Sequence, residues 1–190
     1  MKLIDFLHIS APNKSKRLTD SNLYYKSKNE FYTKYLNKYK KTYYQKLYHR
    51  CTVKHKTASK IVLDKNIHFG QDYFEVLEKL GQPSFCYKYW NEQDHVILVY
   101  KDLAGSNFIT KTYHFYRNRL VLMGYDFANL DPKEQQMCLF SFLEQLNMGH
   151  LKELENPFLL EDGGNNFLLA HVKRRLKVYL GSPELLLVTR

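Results

Sequence analysis

Cysteine is scarce in this chain of 190 residues: Cys51, Cys86 and Cys138 are an odd number at wide spacing. That excludes a dense disulfide framework and points to a reducing, cytoplasmic setting. No apolar run approaches the ~18 residues that argue for a membrane-spanning helix. The opening stretch, MKLIDFLHISAPNKSKR, has Asp5 and His8 inside its apolar part, so it reads as mature sequence rather than an export signal. Alanine is rare, at five residues, whereas Tyr occurs 16 times and Phe 12 times. Many aromatics with few small residues suit strands and aromatic-lined surfaces better than an idealised helical bundle. Neither a Gly/Ser linker, a Pro-rich tract nor a repeat of solenoid length divides the chain.

What the chain has in excess is positive charge, and it is unevenly placed. Residues 1–65 hold 16 Lys and Arg against Asp5, Asp20, Glu30 and Asp64, a net of +12. The other 125 residues hold 13 basic and 15 acidic residues, a net of −2. This division predicts a basic, largely helical N-terminal extension over 1–65 and a nearly neutral α+β domain over 66–190.

Residues 22–50 read as one long amphipathic helix. Phe31, Tyr35, Tyr39, Tyr43 and Leu47 recur every four residues, and Asp20 or Ser21 supplies a cap. Two readings stay open for that stripe. It packs on the core with a solvated lysine face, or it presents lysines to phosphates and tyrosines to unpaired bases. On the second reading the binding residues are Lys34, Lys38, Lys40, Lys41 and Lys46 with Tyr35 and Tyr39, and the partner is an acidic protein or a nucleic acid.

From residue 66 the pattern changes. Asp72 opens a helix carrying Tyr73, Val76, Leu77 and Leu80, and Gly81 with Pro83 stops it. Aromatic-rich strands are expected at 85–90, 96–103, 107–116 and 120–127. Helix plus antiparallel meander is therefore the expected core of 67–127, with Leu77, Leu80, Val99, Phe115 and Val121 inside. Beyond it, 131–190 reads as an apolar helix started by Asp131 and Pro132, then strands at 158–160 and 167–172 around a hairpin tip at 161–166. A second hairpin pairs 175–180 with 185–188; a basic helix over 167–180 is the alternative, with strands preferred.

The run Ile67, His68, Phe69, Gly70, then Glu75 to Leu77, then Leu80, Gly81, Gln82 and Pro83, resembles the start of the BamE/SmpA family of small outer-membrane assembly lipoproteins. Tyr113 to Tyr116 and Leu120 to Leu122 similarly resemble that family's final strands. The match covers 67–127, about a third of the chain. The resemblance implies a β-lactamase-inhibitor-protein-like fold, and in that fold the module usually binds other proteins. The family's lipoprotein signal and lipidated cysteine have no counterpart here, so outer-membrane assembly is not carried over.

Motifs for chemistry are sparse. His49, Cys51 and His55 resemble half a zinc site, but a structural zinc needs four ligands and no second pair follows at standard spacing, so no metal or other cofactor is expected. Glu161 and Asp162 could serve as an acid/base pair or a cation site; the adjoining Gly163, Gly164 and Asn165 explain them as turn residues. No phosphate-binding glycine loop or nucleophile elbow is present. The sequence thus favours a non-catalytic macromolecule-binding module over its alternative, an enzyme with a dispersed site.

Overall fold

The computed structural model describes residues 41–63, 66–89, 95–104, 107–151, 154, 156–172 and 174–187. Helix α1 spans Lys41–His49 and is followed by a two-residue strand, β1 (His55–Lys56). Helix α2 (Tyr73–Leu80) leads into β2 (Phe85–Tyr89), β3 (His95–Ala104), β4 (Asn107–Tyr116) and β5 (Arg119–Phe127). Then come helix α3 (Pro132–Gln145), strands β6 (Phe158–Glu161), β7 (Phe167–Val172) and β8 (Leu176–Gly181), and a 3₁₀ turn, Pro183–Leu185. The protein is α+β and mostly sheet.

The eight strands of the described residues lie in one sheet, in the order β1-β6-β7-β8-β5-β4-β3-β2. β2 to β5 form the expected antiparallel meander, and β6, β7 and β8 form a second one. The two join where β8 pairs antiparallel with β5, Tyr125 opposite Val178. Helix α3 provides the crossover between them. Among the described strands only β1 runs parallel to its neighbour, with His55 opposite Leu160.

Alternate residues of the strands belong to two separate cores. Leu98, Phe158, Leu160, Leu168, Ala170 and Val178 point to one, where Leu139, Phe142 and Leu143 of α3 and Val76 of α2 cover them. Ile97, Val99, Leu159, Phe167, Leu169 and Tyr179 point to the other, where Tyr44, Leu47 and Tyr48 of α1 pack. A sheet buried on both faces needs apolar side chains at consecutive positions. The runs Leu120 to Met123, Phe158 to Leu160 and Phe167 to Ala170 supply them. Between His114 and Phe115 the register shifts, leaving Val121 as the extra residue of a bulge in β5.

The helix ends follow their local chemistry. Asp72 caps α2 by accepting from the Phe74 amide at 2.7 Å, and Gly81, at φ 73°, stops it with its N–H on the Leu77 carbonyl. Asp131 and Glu134 form a reciprocal capping box on α3, each accepting the other's backbone N–H at 2.8 Å.

Three expectations change. Leu77 and Leu80 of α2 are only half-buried, and the residue this helix sends fully inside is Val76. Val99, Phe115 and Val121 are buried as expected. Residues 175–180 do not pair with 185–188: β8 is a central strand between β5 and β7, and Ser182 with Pro183 turns the chain into the 3₁₀ turn. Finally, packing does not part at residue 65. Segment 41–63 carries α1, β1 and the buried Ile61 and Leu63, and it contributes to both cores.

Candidate functional site

The described end of the basic third is built on α1. It has no Gly or Pro, and its inward face is Lys41, Tyr44, Leu47 and Tyr48, the i, i+3, i+4 spacing of a helix lying on a sheet. Each of these side chains is tied to a distant part of the chain. The Lys41 ammonium donates to the Leu187 carbonyl at 2.6 Å and sits 4.6 Å from the centre of the Tyr116 ring. Gln45 donates to the Leu185 carbonyl at 3.1 Å. Tyr44 meets the His114 and Tyr179 rings edge-on, at 5.3 and 5.1 Å. Tyr48 packs edge-on against Phe167 and donates from its hydroxyl to the Glu161 carboxylate.

That carboxylate collects further cations. Lys54 lies 3.5 Å and Lys56 3.7 Å from Glu161, and Lys54 also donates to the Tyr48 hydroxyl at 3.0 Å. Burial pushes the Glu161 carboxyl up, but the Tyr48 hydroxyl and the two lysines outweigh that and hold it below its ordinary value. The neighbouring Asp162 accepts from the amides of Gly164, Asn166 and Ile61 at 2.8 to 2.9 Å and from the Asn166 side chain at 3.0 Å. Burial again raises the carboxyl and these hydrogen bonds together lower it further. Glu161 and Asp162 thus close the β6–β7 hairpin and fasten the N-terminal segment to it. Their lone pairs are used by structure.

Under α1 lies a buried imidazole pair. His95 of β3 and His114 of β4 approach to 3.4 Å between ring nitrogens, and His114 also meets the Tyr44 hydroxyl at 3.4 Å and the Thr112 hydroxyl at 3.2 Å. Burial, with Lys41 nearby, pulls His95 down to about 4, and burial beside His95 holds His114 well below the ordinary histidine value. Both are neutral at neutral pH.

The outward side of the segment is basic. Lys46 and His49 on α1, Arg50 just after it, then Lys54, Lys56 and Lys60, are all exposed. Of the expected binding residues, Lys46 belongs to this band, while Lys41 is buried. Lys34, Lys38, Lys40, Tyr35 and Tyr39 lie outside the described residues, as does most of the 22–50 helix. Tyr44 and Tyr48, which anchor the helix, were absent from the stripe read in the sequence. Their signal is the i, i+4 pair they make with each other.

His49, Cys51 and His55 do not share a helical face, because α1 ends at His49. Cys51 is buried with its thiol on the Leu47 carbonyl at 3.5 Å, His49 is exposed, and His55 stacks on Phe158 at 4.9 Å. Among the described residues no three His, Cys, Asp or Glu side chains are grouped to hold a metal ion. The three cysteines form no disulfide. An open cleft of about 630 Å³ lies between the loop before α2 and the β4–β5 turn, lined by Gly70, Asp72, Glu75, Arg117, Asn118 and Arg119 among others. Its lining holds two arginines and two carboxylates, and Asn118 donates to Asp72, so the cleft carries no formal charge excess. No described helix is long and apolar enough to cross a membrane.

No family model and no curated protein matches the chain. Among solved structures it is similar to a cysteine-rich secretory protein from Staphylococcus aureus subsp. aureus Mu50, at 14% identity and a TM-score of 0.43. That likeness covers 70% of this chain and 48% of the other, so the chain spans about half the length of that neighbour.

Proposed function

We propose that this protein is a non-catalytic binding module that docks a polyanionic partner, a nucleic acid or an acidic protein, through the basic N-terminal segment. The observation that carries the reading is the orientation of charge on that segment. Its inward side is pinned to the sheet by Tyr44, Leu47 and Tyr48, and Lys46, Arg50 and Lys60 are left facing out, beside the exposed Lys54 and Lys56 that Glu161 draws in. A row of cations held on a rigid support attracts phosphates or carboxylates and releases their counterions on binding. Lys41 is a positioning residue in this scheme. The resemblance of 67–127 to a protein-binding fold supports the same class.

The described part of the helix favours contact with charge over stacking on bases. Tyr44 and Tyr48 are spent in the core, so recognition runs through the backbone of a nucleic acid or the carboxylates of a protein. The test uses the full chain with Lys46→Glu, Arg50→Glu and Lys60→Glu combined, because these three lie away from the Glu161 cluster. Affinity for a single-stranded oligonucleotide and for polyglutamate is measured across a salt series. The reading expects the variant to keep wild-type melting, to bind more weakly, and to lose about one unit of salt slope per phosphate contact removed. A folded variant binding both probes as tightly as wild type, with the same slope, would sink it.

A further inference from the structure

We propose that His95 and His114 form an acid-sensitive latch that seats helix α1 on the sheet and lets it lift when the imidazoles take up protons. The two rings occupy the floor of the α1 seat. His114 meets the Tyr44 hydroxyl at 3.4 Å and the Tyr44 ring at 5.3 Å, and His95 lies behind it at 3.4 Å. His114 is 1% exposed and His95 3%, so neither can be hydrated as a cation while α1 stays down.

Among the described residues, the groups facing this pair make protonation worse. From α1 come Lys41, already a buried cation, and the Tyr44 hydroxyl; Tyr43 on the same helix is turned to Tyr179. β4 contributes Thr112 and Tyr116, and Tyr179 of β8 backs the Tyr44 ring. On β5 the carboxylate of Asp126 acts on Tyr43 but is engaged by Lys177 of β8 at 3.4 Å. Gly124 leaves room only for Thr112 and the Tyr179 ring, since a Cβ there would stand 2.6 Å from the threonine oxygen. Two imidazolium ions would thus join Lys41 in one small buried volume.

Lifting α1 hydrates both rings and relieves the repulsion. The far end of the helix behaves differently, because Tyr48 is held by a carboxylate whose proton affinity is lowered. The end that carries Lys41, Tyr44 and Gln45 therefore opens first. The sign follows from linkage. A histidine depressed in the seated state favours seating above its ordinary value of 6.5, and that preference fades as pH falls toward about 4, the value for His95. Over this window each imidazole raises the opening constant by up to about tenfold per pH unit. The latch stands whatever the basic segment binds.

Hydrogen exchange on the full chain between pH 7.5 and 4.5, corrected for intrinsic rates, tests it. Amide protection over Lys41–His49 should fall by up to about 100-fold per pH unit below 6.5, while protection over Pro132–Gln145 holds. In the double variant His95→Gln, His114→Gln the α1 loss should disappear. The latch is overturned if wild-type α1 protection does not change with pH, if it falls in step with α3, or if a folded double variant shows the same loss. Should the double variant not fold, the wild-type comparison of α1 with α3 decides alone.

Discussion

A residue's surroundings decide its role, and the sequence reveals those surroundings only when they are local. Asp162 was legible as turn chemistry because the Gly164 and Asn166 that explain it stand beside it, whereas Glu161 is held from a distance by Tyr48, Lys54 and Lys56. The inward place of Lys41 was not legible, because it depends on which side of α1 meets the sheet. Tyr44, Leu47 and Tyr48 set that side, and Lys41, three residues before Tyr44, falls on it. Its charge survives there because the Leu187 carbonyl and the Tyr116 ring receive it. The same dependence on distant neighbours governs Gly181. A Cβ there would stand 2.2 Å from the ring of Phe167, which is fully buried and contacts Tyr48. Gly181→Ala should therefore destabilise the protein by about 1–3 kcal/mol, the cost of overpacking a closed core. Urea denaturation checks this, and an alanine variant as stable as wild type would show that the ring can yield.

At the scale of elements, the readable features were those written in short range. The Gly81 and Pro83 stop, the Asp131 cap and the four strands of the first meander were all within reach, with bounds off by a residue or two. The place of β8 was not. Its neighbours β5 and β7 are chosen by long-range pairing, Met123 with Leu180 and Ala170 with Val178, which no local pattern encodes. Helix α2 shows a subtler limit. Periodicity marks Val76, Leu77 and Leu80 alike, yet the helix is short and tilts only Val76 fully inside. Helix α3 is the stronger contributor, with Leu143 wholly buried among the strands. Leu143→Ala should cost about 2–5 kcal/mol, whereas Leu80→Ala, at a half-buried site, should fall below that range. Chemical denaturation of the two variants side by side separates them, and an equal or reversed order would refute the assignment of the core.

The charge map suggested a molecule in two parts, with the basic third separable from the rest. The packing joins them instead. α1 covers Leu159, Phe167, Leu169 and Tyr179 on one face, while Ile61 and Leu63 reach the core on the other. β1 adds to the sheet beside β6, and Asp162 accepts the Ile61 amide at 2.9 Å. Charge is therefore a guide to what faces solvent, and it says nothing of where the core ends. The two ends of the described chain also meet, since Lys41 and Gln45 hold the carbonyls of Leu187 and Leu185. Removing residues 1–50 takes away the cover of one sheet face and both donors to the C-terminal turn. Apolar area uncovered in this way costs on the order of 25 cal/mol per Å², and several fully buried large side chains together rival the whole stability of a domain. The shortened chain should lose cooperative unfolding and bind a hydrophobic dye. Removing 183–190 alone should leave a folded but weakened protein, because the seat of α1 on the sheet persists. The two effects should also be coupled: once α1 is unseated by Tyr44→Ala, deleting 183–190 should cost less than it does in wild type. Differential scanning calorimetry of the four proteins in that cycle measures the coupling. Strict additivity, or a sharply melting 51–190 fragment, would mean that the basic segment is an appendage after all and that the domain closes without it.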